Sequence, residues 1–396
     1  MWFILPLLVF LVLRTQVLDD AGVGEKYIQI NNNMLAGAAS FQEELATAVY
    51  FQWLYLKLSI WPHPLICDYS FNHLKFQSFT SVGFLLGLVV LVGGAVVFFK
   101  QLKTRNLVAL GILIYFSGLV LVSNLLIKIP ATFAERFLFL PSLGVGLVVV
   151  LMGNQLLKGK SIVLHWCFIT ITLVFSMLSF QRSQVWENDG ILFKNDVNVA
   201  RNSFRLNSFM GNFYFEKAQI NNTIYLYKQA SEFFEKSLSI LPHQDEAFFL
   251  NLAFCKLKLN DFNKAIDYYN EVIKFKGEHL EKAKINIGVA YNRVGKAQES
   301  LEVLLSIINE NMDDEIVVSA LANTYLNLKM YDKSELFYVK LLEITSSKNA
   351  DAWNNLGVVK YWKNDFKAAK ECFKKAYELN PNHPDAGKNY EAFKNY

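Results

Sequence analysis

The sequence predicts an all-α protein in two parts, a polytopic transmembrane helical domain followed by a helical-repeat solenoid. Long apolar stretches occur only before about residue 180, and a repeat with a period of 34 to 35 residues runs from about residue 204 to the end. We therefore expect a membrane domain at 1–180 with about five to six hydrophobic segments. A junction follows at 181–203 and the repeats at 204–396.

Charge is distributed unevenly between the two parts. The chain is 53% hydrophobic and 19% charged, which is too apolar for one ordinary soluble domain. Before Gln181 there are 11 basic and 7 acidic residues, and after it there are 28 of each. A nucleic-acid-binding module needs a net basic face to neutralise phosphates. The balanced second part therefore predicts no nucleic-acid partner, and the basic excess of the first part indicates a membrane.

Four stretches are long enough to cross a bilayer, whose hydrocarbon core of about 30 Å needs about 20 apolar residues of helix. They are 79–99, 107–126, 137–157 and 162–180. The stretch 1–13 is also apolar but short. It lacks the basic residues that precede the apolar run of a signal peptide, so we interpret it as a cut-off span.

The stretch 45–60 has two interpretations, because it either crosses the bilayer or dips in and returns. In both cases the short basic loops at 100–105 and 158–160 lie on the same side of the membrane. The positive-inside rule makes that side cytoplasmic. The sequence thus predicts a multi-pass membrane protein whose repeats are extracytoplasmic.

Three ionisable residues lie beside the predicted spans on the side of the repeats: Asp68, Glu135 and Arg136. Such residues are costly near hydrocarbon and often mark function. A guanidinium presents a bidentate fork to phosphate oxygens, so Arg136 is a candidate to bind the phosphate of a lipid-linked donor, with Glu135 and Asp68 beside it. The alternative is that Glu135 and Arg136 snorkel and fix the depth of the helix.

The repeat is clearest in its last copy. Small and aromatic residues stand there at spacings 0, 3, 4, 16, 20, 23 and 28, namely Trp353, Leu356, Gly357, Ala369, Phe373, Ala376 and Pro381. These are the landmarks of a tetratricopeptide repeat. Four regular copies and an irregular first copy near Leu206 predict five repeats. The segment 385–394 is predicted to form a closing helix that covers the last apolar face.

The first helices of the repeats carry five residues that could face a groove: Lys256, Asn286, Asn323, Asn354 and Asn355. Amide side chains can pair with backbone N–H and C=O groups, so these positions predict a protein or peptide partner. The alternative is that they form a solvated surface.

No metal or cofactor site is predicted. The four cysteines and six histidines share no metal-ligand or redox spacing. We interpret the cysteines as small buried apolar residues.

Three local strings resemble one family. They are 134–142 (AERFLFLPS), 63–70 (HPLICDYS) and the junction that contains 182–186 (RSQVW). Together they are similar to the transmembrane and tetratricopeptide-repeat O-mannosyltransferase-like proteins. The resemblance covers nearly the whole chain, and its spans and repeats follow in the same order.

The resemblance implies a membrane glycosyltransferase. Such a protein would transfer a sugar, for example mannose, from a polyprenyl-phosphate donor to protein hydroxyls on the extracytoplasmic side. The family's acidic first loop has no counterpart here, so we interpret the chain as the C-terminal part of a longer protein. Asp19 and Asp20 are weak catalytic candidates, and a solvated turn is the alternative for them.

Three functional hypotheses follow. The chain is the lipid- and acceptor-binding part of a lipid-donor glycosyltransferase, or a non-catalytic membrane-anchored adaptor for protein-protein interaction. In the third, it is a subunit that completes its active site with a separately encoded N-terminal half.

Overall fold

The structure, a computed structural model, describes residues 29–157, 161–242, 244–308 and 313–393. These residues form helices, turns and loops, without strands. The chain divides into two compact units. The membrane unit contains Met1–Phe213 and Phe233–His243, and the repeat unit contains Tyr214–Glu232 and Gln244–Tyr396.

The membrane unit has six helices within its described part before the repeats begin. They are α1 (Phe41–Ile60), α2 (Val82–Lys103), α3 (Leu107–Val120), α4 (Phe139–Leu156), α5 (Ser161–Val185) and α6 (Asp189–Val199). A 3₁₀ turn, Glu135–Leu138, leads directly into α4. Three helical segments are long and apolar enough to cross a membrane: Val82–Lys103, Glu135–Leu156 and Ile162–Val185.

Helix α3 is shorter than the predicted span 107–126, because it ends at Val120 and is followed by a hydrogen-bonded turn around Asn124. Asn124 has a left-handed backbone, with φ of 58°. Its amide donates to the carbonyls of Ala131 and Thr132, and its oxygen accepts from the Asn33 amide and the Ile129 N–H. All four hydrogen-bonding positions of this buried amide are used, so a turn is stable where the apolar pattern alone predicts more helix.

Glycine lets the helices of the membrane unit approach backbone to backbone. A methyl group at Gly144 of α4 would lie 2.4 Å from the Gly111 carbonyl oxygen of α3. One at Gly87 of α2 would lie 2.0 Å from the Val49 carbonyl oxygen of α1. Small residues at helix crossings are typical of membrane helix packing, where close van der Waals contact replaces the hydrophobic effect.

Helix pairs follow along the chain, and α7 and α8 each have residues in both units. The pairs are α7 (Phe204–Asn221) with α8 (Ile224–Ile240), α9 (Glu246–Lys258) with α10 (Phe262–Phe275), α11 (Leu280–Arg293) with α12 (Ala297–Leu305), α13 (Glu315–Asn327) with α14 (Tyr331–Ile344), and α15 (Ala350–Trp362) with α16 (Phe366–Leu379). A single helix, α17 (Ala386–Phe393), follows the last pair.

The regular pairs share one turn between their two helices. The residue at the turn has a positive φ: 60° at Asn260, 79° at Gly295, 61° at Lys329 and 62° at Asn364. The next N–H bonds back to a carbonyl in the last helical turn, as in Asp261 to Lys256 and Asp365 to Lys360, each at 2.9 Å. This is the Schellman pattern, in which a left-handed residue stops the helix and satisfies its last carbonyls.

Within the pairs, a small residue of the first helix faces a large side chain of the second. Gly357 faces the Phe373 ring, and a methyl group there would lie 2.6 Å from it. Gly211 faces Phe234 in the same way, and Gly288 faces Leu304. These are the positions that the spacing of the repeat predicts to be small.

Candidate functional site

Polar residues of the membrane unit collect where α4 begins and α5 ends. Three segments meet there, 66–72, 129–136 and 196–205, and we call them the loop cluster. Residues far apart in the sequence join its segments, since the N–H of Phe204 donates to the Phe71 carbonyl at 2.9 Å and the Ser70 and Ser203 hydroxyls lie 3.1 Å apart. The cluster is therefore defined by non-local bonds.

A buried ion pair joins the end of α5 to α6. Arg182 Nη1 and Nη2 donate to the two carboxylate oxygens of Asp196 at 2.6 and 2.9 Å. The Cys67 N–H donates to Asp196 Oδ2 at 2.6 Å. Asp196 is fully buried, and burial acts to raise its pKa, but the bonds from Arg182, Asn195 and Cys67 outweigh it and lower the pKa. Asp196 is thus a charged anchor for three segments.

Glu135 fastens the 66–69 segment to the entrance of α4. Its Oε1 accepts from the Ile66 N–H at 2.7 Å and from the Tyr69 hydroxyl at 2.6 Å. Burial and the nearby Glu135 charge raise the pKa of Tyr69, which keeps the phenol protonated as the donor. The carboxylate is therefore used in an internal contact.

Arg205 connects the two ends of the segment that contains α1. Its Nη1 lies 3.2 Å from Asp68 Oδ1, which follows α1. Its Nη2 donates to the Asn31 carbonyl and lies 3.3 Å from the Asn32 side-chain oxygen, both of which precede α1. One guanidinium thus holds the chain on both sides of α1 together.

Arg136 differs from its neighbours in the cluster. Its side chain is exposed, and its guanidinium lies 5.1 Å from the centre of the Phe137 ring. In the described part of the chain it has no carboxylate partner. Together with Asp68 and Arg205 it borders a cavity of about 80 Å³. Of the two arginines that border this cavity, Arg136 is therefore the one whose charge is open to a ligand.

The repeat unit contains a groove of about 710 Å³, which we call the Asn groove. It runs along the first helices α11, α13 and α15 to the segment before α17. Polar lining residues are Asn292, Arg293, Glu315, Ser319, Asn323, Asn327, Asn349, Asp351, Asn354, Asn355, His383 and Asp385. Three of the five predicted groove residues lie in it. Lys256 and Asn286 are buried on α9 and α11 and are not among its lining residues.

Asparagines of the groove bond to one another within and between helices. Asn355 Nδ2 donates to Asn323 Oδ1 at 3.4 Å, and Asn354 Nδ2 donates to Asn355 Oδ1 at 3.3 Å. The Tyr338 hydroxyl also donates to Asn323 Oδ1, at 2.7 Å. At the other end, Asn389 of α17 donates to Asn354 Oδ1 at 2.8 Å. This network holds successive first helices in register.

Sequence analysis did not identify Arg182, Asp196 or Arg205 as site residues. One signal pointed to Arg182, which is the first charged residue after the last apolar stretch. Asp19 and Asp20 lie outside the described residues. Within the described ranges, no group of three or more His, Cys, Asp or Glu residues could hold a metal ion.

Comparisons with known proteins identify the repeats. Tetratricopeptide-repeat family profiles match residues 247–279, 319–348 and 350–383. Among solved structures, a thermophilic tetratricopeptide-repeat protein of Thermus thermophilus aligns with 18% identity and a TM-score of 0.39, over 46% of this chain and 98% of that chain. YrrB, described as a tetratricopeptide-repeat protein with an unusual peptide-binding site, aligns with 17% identity and a TM-score of 0.38, over 50% of this chain and 97% of that chain.

Two curated relatives align with long stretches of this chain. Protein O-mannosyl-transferase TMTC3 of Homo sapiens is 26% identical over 279 residues, which cover 66% of this chain and 29% of that protein. Its Drosophila melanogaster namesake is 26% identical over 207 residues, covering 49% of this chain and 22% of that protein. The chain thus spans less than a third of the length of these relatives.

The human match is longer than either the membrane part or the repeat part, so it includes residues of both. The resemblance indicated by the three sequence strings is confirmed. The described part of the chain is helical, with tetratricopeptide repeats and three helices long and apolar enough to cross a membrane, and the chain resembles the transmembrane and tetratricopeptide-repeat O-mannosyltransferase-like proteins.

Proposed function

We propose that this chain is the C-terminal part of a membrane glycosyltransferase-like protein that transfers a sugar, for example mannose, from a polyprenyl-phosphate donor to protein hydroxyls. In this proposal Arg136 binds the donor phosphate and the repeats bind the acceptor protein. The observation that carries it is the open charge of Arg136 in a cluster whose carboxylates are engaged internally.

The surroundings of Arg136 suit a phosphate at the membrane surface. Arg136 lies in the first turn of Glu135–Leu156, a segment long enough to span a bilayer, so the guanidinium is placed at headgroup depth. Glu135 and Asp68 hold the loops on either side through Ile66, Tyr69 and Arg205. A fixed backbone lowers the entropy lost when Arg136 engages a phosphate.

Contacts around α1 support the interpretation in which 45–60 dips in and returns. Arg205 holds both flanks of α1. Along the helix, Glu44 pairs with Lys128 at 3.2 Å, Thr47 accepts from the Gln77 N–H at 2.8 Å, and the Tyr55 and Phe133 rings stack at 4.2 Å. Lys128, Gln77 and Phe133 all precede α2 or α4 on the loop-cluster side, so we infer that α1 stays on that side.

With α1 on that side, the chain crosses the membrane between the loop cluster and the basic loops near 100–105 and 158–160. Basic residues of the first part other than Lys57 then divide five against five, so the orientation depends on those two short loops. The positive-inside rule places short basic loops in the cytoplasm. We propose that the protein is multi-pass and that the repeats are extracytoplasmic, on the side where lipid-linked sugars meet acceptor proteins.

Donor binding by Arg136→Ala tests the proposal. The full chain in lipid nanodiscs is titrated with a labelled polyprenyl-phosphate mannose. Loss of a charge-assisted hydrogen-bonding group worth about 1.5–3 kcal/mol predicts binding weaker by about 10- to 100-fold. Arg136→Lys is expected to fall between, because an ammonium keeps the charge but not the fork. Arg201→Ala is the matched control, since Arg201 is another exposed arginine of the membrane unit. Unchanged donor binding by Arg136→Ala would remove the proposal.

A second candidate is a non-catalytic membrane-anchored adaptor. It is favoured by the engagement of Asp68, Glu135 and Asp196 in internal bonds, which leaves none of these three cluster carboxylates free to act as a base. Transfer of labelled sugar to membrane proteins separates the two. The chain joined to its upstream coding region is active under the first proposal, and neither the chain nor the longer protein is active under the second.

A further inference from the structure

More acidic than basic residues line the Asn groove. Glu315, Asp351 and Asp385 contribute carboxylates, and Arg293 contributes one guanidinium. His383 is hydrogen-bonded at both ring nitrogens. Its Nδ1 accepts from the N–H groups of Asp385 and Ala386 at 3.1 and 3.0 Å, so its proton is on Nε2, which lies 2.9 Å from Asp351 Oδ1.

The two lysines at the end of α15 pair with acids outside the groove. Lys360 pairs with Glu335 at 2.6 Å. Lys363 pairs with Asp332 at 2.6 Å and with Glu335 at 2.8 Å. None of these four residues is among those that line the groove. The groove is therefore a negatively charged surface, although this half of the chain is balanced overall.

The asparagines retain hydrogen-bonding positions after their internal bonds are counted. Asn355 donates once and accepts once, so one N–H and one lone pair remain. Asn323 donates to the Ser319 carbonyl at 2.8 Å, and one N–H remains. A peptide unit presents one donor and one acceptor. The open positions of Asn355 and Asn323 thus match the backbone of an extended chain.

Building on the proposed function, we propose that the Asn groove binds an extended polypeptide segment through its backbone, selects uncharged or basic side chains, and rejects acidic ones. Backbone bonding leaves the sequence of the segment loosely defined, whereas the carboxylates repel Asp, Glu and phosphorylated residues. A segment rich in Ser and Thr and poor in acids fits both requirements.

Peptide binding to the full chain in nanodiscs tests this. Three fluorescent 12-residue peptides of Gly, Ser and Thr are compared by anisotropy, one unmodified, one with four Lys and one with four Glu. We expect the Glu peptide to bind at least 10-fold more weakly than the unmodified one at 50 mM salt. The difference is expected to shrink at 500 mM, where the Debye length falls to a few ångströms.

Variants locate the effect. Glu315→Gln combined with Asp385→Asn is expected to improve binding of the Glu peptide at least 3-fold and to weaken binding of the Lys peptide. Asp332→Asn is the control, because it removes a negative charge from α14, outside the groove. It is expected to change neither affinity.

The outcomes separate this inference from the proposed function. Equal binding of all three peptides, or an equal response to Asp332→Asn and to the groove variant, overturns the charge selection and leaves peptide binding standing. Binding of none of the three overturns backbone recognition by the groove and, with it, the proposed role of the repeats in presenting acceptor.

Discussion

The loop cluster and the Asn groove use polar residues in opposite ways. In the cluster, the carboxylates of Asp196 and Glu135 bond internally to backbone groups that are distant in sequence. In the groove, neutral amides bond across helices and still keep open positions. An ionisable residue near a membrane is therefore weaker evidence for a ligand site than the number of hydrogen-bonding positions that its side chain still has open.

The largest expected effect comes from breaking the buried pair of the cluster. Asp196→Ala leaves the half-buried Arg182 guanidinium without its carboxylate partner and the Cys67 N–H without its acceptor. Removal of one member of a buried ion pair typically costs about 3–5 kcal/mol. We expect a large fall in the thermal unfolding midpoint of the full chain in detergent, followed by scanning fluorimetry.

Two control variants accompany Asp196→Ala, one in the loop cluster and one in the Asn groove. Asp196→Asn keeps the shape and some of the hydrogen bonds, so its midpoint should lie between those of Asp196→Ala and the wild type. Asn355→Ala in the groove is expected to cost only about 0.5–1.5 kcal/mol. If Asp196→Ala were no more harmful than Asn355→Ala, the contrast between an internally bonded cluster and an open groove would be lost.

Acid pH gives a smaller effect on the same pair. The folded state lowers the pKa of Asp196 below its ordinary value of 3.8. Its charge therefore contributes stability that is fully present above that value and is lost as the pH falls through the folded pKa. We expect the difference in unfolding midpoint between wild type and Asp196→Asn to be constant from pH 7 to pH 5. Below about pH 3.8 the difference should shrink, and a difference that does not vary with pH would contradict a charged Asp196.

The smallest effect is stabilising and belongs to the repeats. Lys329 occupies a helix-ending turn with φ of 61°, where Gly295 stands in the preceding regular pair. Glycine adopts this conformation without steric cost, so Lys329→Gly is expected to stabilise the repeats by about 0.5–1 kcal/mol. Gly295→Ala is the reciprocal variant and should destabilise them. Denaturant unfolding of both variants measures the two changes, and a loss of stability in Lys329→Gly would contradict the role of the turn.

Sequence patterns predicted the parts of this protein that depend on local spacing. The repeat period identified Gly357 as a small position and Phe373 as an aromatic one, and the two pack together because helix pairing is set by residues fewer than 20 apart. The apolar stretches likewise predicted α2 and α5. They predicted too long a helix at α3, because hydropathy contains no signal for the four bonds of Asn124.

The loop cluster could not be predicted in this way. Its bonds join Asp68 to Arg205 and Cys67 to Asp196, residues more than 120 positions apart. Such pairs depend on the path of the intervening backbone rather than on any periodicity. Sequence reasoning therefore identified Arg136 as a candidate, but could not show that the charges around it are already paired.

Helix α3 has a consequence for the surrounding lipid. At 1.5 Å per residue its 14 residues reach about 21 Å, compared with a hydrocarbon core of about 30 Å. In the proposed multi-pass topology, protein encloses the Asn124 turn and satisfies its polar groups, but lipid beside α3 meets a helix shorter than the hydrocarbon core. Hydrophobic mismatch of this kind costs fractions of a kcal/mol per ångström and draws a protein toward thinner bilayers. In that topology the turn at Asn124 favours a thin bilayer over a thick one.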